Sequence, residues 1–389
     1  MSGKRASRSV RRSEKRRRIQ PPLRNGINAA PLRLPDGQWS TLGEWFEYRF
    51  GREGLELLSR SDVYAGHNVA LKADDAYHAG ERVWVFRPVL DEPAQPLELP
   101  VVAENERFVV VDKPHGMASV PKGSHVAQSA LVTARRQFHN DLLVAAHRLD
   151  LETAGLLLFV KSPQWRGAYQ MLFERRRISK VYRAIAPIVL SAQGKIAAHA
   201  GTTWHSELTL HKTDGQLQVH VIAADSRRRH AEVGTAVTGH VPTGKGSGSL
   251  TDQGGYIGQS GYANHGVCST GDEHNHGYVG SYYGERRRPI TRTQMNAVTD
   301  ITLTRELGYG LGLYTLYPHT GFTHQLRVAM NELGAPICGD PIYPRVLTPA
   351  QSAARPYPLQ LLAAQLDFDD PVTGEHVCCE SARELALEE

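Results

Sequence analysis

Residues 155–162, GLLLFVKS, set apolar side chains at Leu156, Leu157, Leu158, Phe159 and Val160 without a break. So short a run bounded by polar residues reads as a strand buried on both faces, and such a strand needs cover on both. FVVV, residues 108–111, is a second buried strand, stopped by a turn at Lys113 and Pro114. Two strands of this kind commit the chain to a sheet enclosed by other elements. Directly ahead of the first run, AAHRLD brings His147, Arg148 and Asp150 to the mouth of a buried strand, where charge is costly unless paired.

Helical patterns flank these strands. SALVTARRQF (129–138), PQWRGAYQMLFERRR (163–177, with Pro163 near its start) and HQLRVAMNELG (324–334, with Gly334 as a stop) read as helices. SKVYRAIAPI (179–188) and LGYGLGLYTLYP (307–318) add strands. The links between strands are too irregular for a repeating βαβ fold, so the class is α+β. Upstream, TLGEWFEYRFG (41–51) is a short amphipathic helix with Leu42, Trp45, Phe46 and Phe50 on one side, followed by short strands and turns over 62–88. Residues 26–96 thus form a small N-terminal α+β module, and a Pro-rich connector leads into a larger unit over 97–380. A chain of 389 residues is long enough for both.

No apolar run is long enough to span a bilayer, and the Arg-rich N-terminus lacks the apolar segment of a secretory signal, so a cytoplasmic protein is expected. Cys268, Cys338, Cys378 and Cys379 show no paired spacing, which suggests neither a zinc site nor a disulfide framework. The first 18 residues carry nine Lys/Arg against the single Glu14, which more than accounts for the formal net charge of +5. Residues 1–25 read as a disordered basic tail, suited equally to solubility and to nucleic-acid contact. Between Thr133 and Arg183, ten Lys/Arg stand against four Asp/Glu and bracket the HRLD stretch, the pattern of a phosphate-binding rim.

Residues 234–284 hold 14 glycines and almost no aliphatic clusters, and cannot pack a core. His265, Cys268, His274 and His276 lack ligand spacing, so the segment reads as a flexible insertion rather than a metal site; its tyrosines among glycines could also stack on single-stranded bases.

HRLDLETAGLLLF resembles the HRLD-x-x-T-x-G-L-L signature of the RluA-type pseudouridine synthases, which isomerise chosen uridines of ribosomal or transfer RNA. VVVDKPHGM is similar to that family's opening strand and turn, SKVYRAI to its K-x-Y segment, and HTGFTHQLRVAMNELGAPICGDPIYP to its T-G-x-T-H-Q-L-R helix and G-D-x-x-Y turn. Four motifs in order carry a resemblance that extends over most of residues 97–375 apart from the glycine-rich insertion. The resemblance implies a pseudouridine synthase fold, a mixed and mainly antiparallel central sheet flanked by helices, acting without cofactor or metal on an RNA partner; nothing in the sequence demands more than a monomer. It implies that Asp150 is the carboxylate acting at the ribose, as a nucleophile or by taking a ribose proton to give a glycal. Arg327 is its basic partner, needed because a carboxylate beside a buried strand stays ionised only with a cation near it. The resemblance further implies that Tyr182 stacks on the uracil and assists loss of the C5 proton, and that Arg148 fills the gap left by the flipped base. Arg175, Arg176, Arg177, Lys180 and His324 complete an RNA-binding rim.

Plainer roles compete with some of these. His147 reads best as a structural cap, Asp340 with Tyr343 as a turn, and Lys113 with Pro114 as a loop beside the site. Phe322 stands where the family usually has Arg or Lys, and Ala154 where Ser is common. The N-terminal module resembles the ribosomal-protein-type RNA-binding module found ahead of such domains, with a poor basic helix. The same motifs also admit a non-catalytic RNA-binding or ribosome-assembly factor, whereas a nucleoside hydrolase normally needs two carboxylates and only one is evident.

Overall fold

The computed structural model describes residues 21–86, 92–190, 198–213, 215–224 and 296–388. The basic tail up to residue 20 and the glycine-rich stretch 234–284 lie outside the described residues.

The N-terminal module has its own four-stranded antiparallel sheet and core. Its strands are β1 (Ala30–Arg33), β2 (Val63–Ala65), β3 (Val69–Ala70) and β4 (Arg82–Val85), in the order β1-β4-β2-β3. Helices α1 (Leu42–Phe50) and α2 (Arg52–Ser59) press Leu42, Trp45, Phe46, Leu57 and Leu58 onto Val63, Val83 and Val85. Thr41 caps α1 by accepting the Glu44 amide at 3.2 Å, which satisfies one of the free N–H groups of the first turn. Residues 21–25, read as the end of the basic tail, are part of the described structure. Arg24 donates to Ser61 O at 2.7 Å and Tyr64 Oη at 2.6 Å, pairs with Asp62, and lies over the Phe86 ring. The guanidinium groups of Arg135 and Arg136 reach the Gly26 and Asn25 carbonyls, so residues 24–26 join the module to the larger unit.

The larger unit is an 11-stranded sheet. Its strands are β5 (Val101–Glu104), β6 (Phe108–Lys113), β7 (Val144–Ala145), β8 (Ala154–Val160), β9 (Ile178–Pro187), β10 (Thr203–His211), β11 (His220–Ala224), β12 (Ala297–Gly308), β13 (Leu311–Pro318), β14 (Leu361–Asp369) and β15 (His376–Glu380). The order is β11-β10-β12-β13-β9-β14-β8-β6-β5, with β15 on β14 and β7 on β8. Every pair is antiparallel except β8 with β14, so the sheet is mixed and mainly antiparallel.

The two apolar runs explain its layering. On β6 and β8 alternate side chains point to opposite faces. Val109, Val111, Leu157 and Phe159 pack under α3 (Ala130–Gln137), while Phe108, Val110, Leu156 and Leu158 pack with Tyr169 and Leu172 of α4 (Pro163–Glu174). A third core joins β9, β10, β12 and β13 to α5 (Gln325–Glu332). Gly308, Tyr309 and Gly310, all at positive φ, form a hairpin turn, so LGYGLGLYTLYP is the end of one strand, a turn and a second strand rather than a single strand.

The parallel contact of β8 with β14 lies in the interior of the sheet, Leu362 opposite Ala154 and Ala363 opposite Gly155. Gly155 has φ +108°, and a Cβ there would lie 2.3 Å from the Ala363 carbonyl oxygen. Only glycine allows this approach. Ala363 is in turn opposite Tyr182 of β9, so β14 places Tyr182 and the start of β8 on either side of one small residue.

Candidate active site

The loop ahead of β8 is held from several sides. Ser119 Oγ donates to Leu149 O at 2.7 Å and accepts the Leu149 N–H at 2.9 Å. Lys113 Nζ, fully buried, donates to Pro114 O, Met117 O and Leu151 O at 2.9, 2.8 and 3.3 Å. Burial pushes Lys113 down to about 7, against the charges of Asp150 and Glu152, so it is a tether rather than a surface cation. His147 Nε2 accepts the Leu158 N–H at 3.1 Å and its ring stacks on Phe173; burial pushes it down to about 3, with Lys180 adding to the shift. It is a neutral structural cap, whereas its neighbour Arg148 is exposed.

Between these tethers Asp150 stays 30% exposed. Arg327 Nη1 donates to Asp150 Oδ2 at 3.2 Å from within α5. The same guanidinium forks onto Asp340, Nε to Oδ2 at 2.8 Å and Nη2 to Oδ1 at 2.7 Å. Asp340 Oδ1 also accepts the amides of Ile342 and Tyr343 at 2.8 and 3.0 Å. Burial alone would weaken the Arg327 charge, but Asp340 and Asp150 outweigh it and raise the guanidinium above its ordinary value. A bidentate fork fixes the plane of the group, so its remaining nitrogen is aimed at Asp150.

Tyr182 is half-buried between two of the cores. Burial, and then the charge of Asp150, raise its hydroxyl well above the ordinary phenol value. His324 opens α5 in the left-handed region at φ 57°, with Nε2 at 4.0 Å from Asp150 Oδ2. The preceding loop is tied to β12 through Gln325, whose Oε1 accepts from Thr320 Oγ1 and the Phe322 amide, and whose Nε2 donates to Val298 O and Thr299 Oγ1. The Phe322 ring packs on the core beneath α5. Lys180 Nζ donates to Thr320 O at 3.0 Å, and burial, with Arg176 nearby, pushes it down to about 8. Arg175, Arg176 and Arg177 are exposed in the turn between α4 and β9. The structure thus brings together Asp150, Arg327, His324 and Tyr182, sets Lys180 and Arg176 beside one another, and leaves Arg148, Arg175 and Arg177 at the surface.

The sequence profile of the RNA pseudouridylate synthase family matches residues 107–332, more than half of the chain. The chain belongs to this family. The synthase is 24% identical to ribosomal large subunit pseudouridine synthase D of Pseudomonas aeruginosa, over 90% of this chain and 85% of that protein. It is 26% identical to the dual-specificity RNA pseudouridine synthase RluA of Vibrio cholerae, over 70% and 77%. It is 23% identical to tRNA pseudouridine(31) synthase of Saccharomyces cerevisiae, over 76% and 60%. These similarities place the synthase in the RluA-type group and make it an isomerase acting on RNA.

Sequence reasoning passed over part of the synthase's site. Asp340 does more than hold a turn, since it fixes the plane of Arg327; the G-D-x-x-Y segment was the available signal. Lys212, in the turn after β10, was not singled out, yet its ammonium donates to Leu217 O at 2.7 Å and lies within the electrostatic reach of Asp150 and Arg327. No motif surrounds it, and a lone lysine between strands gives no signal.

Proposed function

We propose that this synthase isomerises specific uridines of ribosomal or transfer RNA, with Asp150 as the reacting carboxylate. The observation that carries the reading is the asymmetry of that carboxylate. Oδ2 accepts from Arg327 and faces His324, while Oδ1 has no hydrogen-bond partner among the described residues. A carboxylate oriented through one oxygen, with the other open, is prepared for attack at ribose C1′ or for removal of a ribose proton.

Either route breaks the bond between C1′ and N1 and leaves its electron pair on the uracil. The base turns, C5 bonds to C1′, the C5 proton leaves, and N1 gains a proton. No metal or redox step enters the balance. Tyr182 supplies a ring face beside Asp150; with its hydroxyl raised, it acts as a neutral phenol that packs and donates rather than as a phenolate base.

A uridine within a stem or stacked loop must leave its stack to reach this site. Arg148, exposed two residues from Asp150, is placed to fill the space the base vacates. Arg175, Arg176, Arg177 and Lys180 take the flanking phosphates, with Lys180 the most fixed of them through Thr320 O. Relatives named for ribosomal RNA and for transfer RNA support both substrate classes.

Release of tritium from [5-³H]uridine in unmodified ribosomal and transfer RNA tests the reading. Wild-type protein should release tritium to water from one class at a few sites, and Asp150→Ala should release none. Release by the alanine variant at the wild-type rate would refute the role of Asp150.

A further inference from the structure

His324 stands in a backbone conformation that non-glycine residues rarely adopt, φ 57° and ψ 16°, at the first turn of α5. Such strain persists only where surrounding contacts hold it. Here both ring nitrogens face polar partners, one of them within hydrogen-bond distance. Nδ1 lies 3.1 Å from Tyr343 Oη, and Nε2 faces Asp150 Oδ2 at 4.0 Å. Tyr343 Oη already accepts the Val219 N–H at 2.7 Å, so its own proton has two directions, toward His324 Nδ1 at 3.1 Å or toward Val219 O at 3.4 Å. The shorter is the stronger acceptor geometry. A phenol donating to Nδ1 leaves the imidazole proton on Nε2. The opposite arrangement would turn a lone pair of Nε2 onto a carboxylate.

We propose that Tyr343 and His324 form a positioning pair: the tyrosine hydroxyl selects the Nε2–H tautomer, and that N–H closes on Asp150 Oδ2 as a second donor beside Arg327 when RNA occupies the site. Catalytic hydrogen bonds are often long before substrate arrives and tighten in the complex. The groups facing His324 are Asp150, Arg327, Lys212, Asp340 and Tyr343. Burial, reinforced by Arg327 and Lys212 and opposed by Asp150 and Asp340, pushes His324 down to about 4, which keeps it neutral at pH 7. One turn then organises both donors. Asp340 holds Arg327, and Tyr343, whose amide is bound by the same carboxylate, holds His324. Oδ1 of Asp150 is left for the ribose.

The pair rests on Asp150 being the reacting carboxylate, and its test separates the two claims. Two-bond ¹H–¹⁵N correlation of the ¹⁵N-labelled full chain reads the tautomer directly, with the His324 signals assigned by their loss in His324→Asn. The expected result is a neutral Nε2–H ring at pH 7 and at pH 5.5, becoming a tautomer mixture in Tyr343→Phe. Asparagine tolerates the left-handed backbone and reaches Tyr343 but has nothing at the Nε2 position, whereas glutamine restores a donor there. His324→Asn should lower kcat roughly ten- to a hundredfold with KM within about twofold, and His324→Gln should recover most of the loss. An Nδ1–H tautomer in the wild type, or an unchanged kcat in a folded His324→Asn, overturns the pair while Asp150→Ala remains inactive. Activity in Asp150→Ala removes the reading beneath it and the pair's catalytic role together. The wild-type tautomer decides the matter even if a variant fails to fold.

Discussion

Arg327 serves two carboxylates of unequal standing. Asp340 is buried and takes two of its nitrogens, while Asp150 is partly open and takes one. The buried pair is structural: replacing Asp340 by Ala leaves a buried guanidinium and two amides short of an acceptor, and should cost about 3–5 kcal/mol in urea unfolding. Asp150→Ala removes a less buried partner and should cost much less while abolishing turnover. Arg148 provides the contrast. Exposed and outside any ion pair among the described residues, it should accept Ala with no shift in unfolding midpoint, yet KM or kcat should worsen at least about tenfold. An unfolding midpoint that moved with activity would instead give Arg148 a structural role.

β8 and β14 meet in the one parallel pairing of the described sheet, and that pairing sets the distance between Asp150 and Tyr182. Gly155→Ala should force the two strands apart, because its Cβ would strike backbone rather than a side chain able to turn away. We expect a loss of roughly 3 kcal/mol or more in stability, with activity falling further than stability alone explains; wild-type-like unfolding and turnover would contradict the register argument. Much of this layer was legible beforehand. FVVV and GLLLFV read as buried strands, and the helices over 130–137, 163–174 and 325–332 follow apolar spacing, the second with a Pro start and the third with a Gly stop. β10, β12 and β14 were not singled out. Their polar residues alternate with buried ones, or lie near a chain end, and carry no motif. The hairpin at Gly308–Gly310 was absorbed into a strand because glycine in an apolar run reads equally well as a kink. Asp150 and Arg327 were legible through the motifs that carry them, and the G-D-x-x-Y segment marked Asp340 as a turn, but that its carboxylate forks onto Arg327 and that Tyr343 contacts Val219 depend on contacts that sequence spacing does not encode.

Three partly buried histidines, His115, His147 and His324, are all lowered by desolvation, to about 3 for His147 and about 4 for His324. Each binds a proton more readily in the unfolded chain. Stability is therefore intact above about pH 6.5 and is lost as the pH falls toward the folded values, by up to about 1.4 kcal/mol per pH unit for each group. His205, raised by Asp300 and then Glu207, works in the opposite direction, but it is nearly half exposed and contributes little. Urea midpoints at pH 7 and pH 4.5 should show the fall, and His147→Gln should shrink it; an unchanged fall would exclude His147 as a contributor. The decisive measurement concerns the chemistry itself: pseudouridine mapping of ribosomal and transfer RNA from cells lacking this gene and complemented with either wild type or Asp150→Ala. The account predicts a small set of sites lost on deletion and restored by the wild type alone. Sites restored equally by the alanine variant would contradict it.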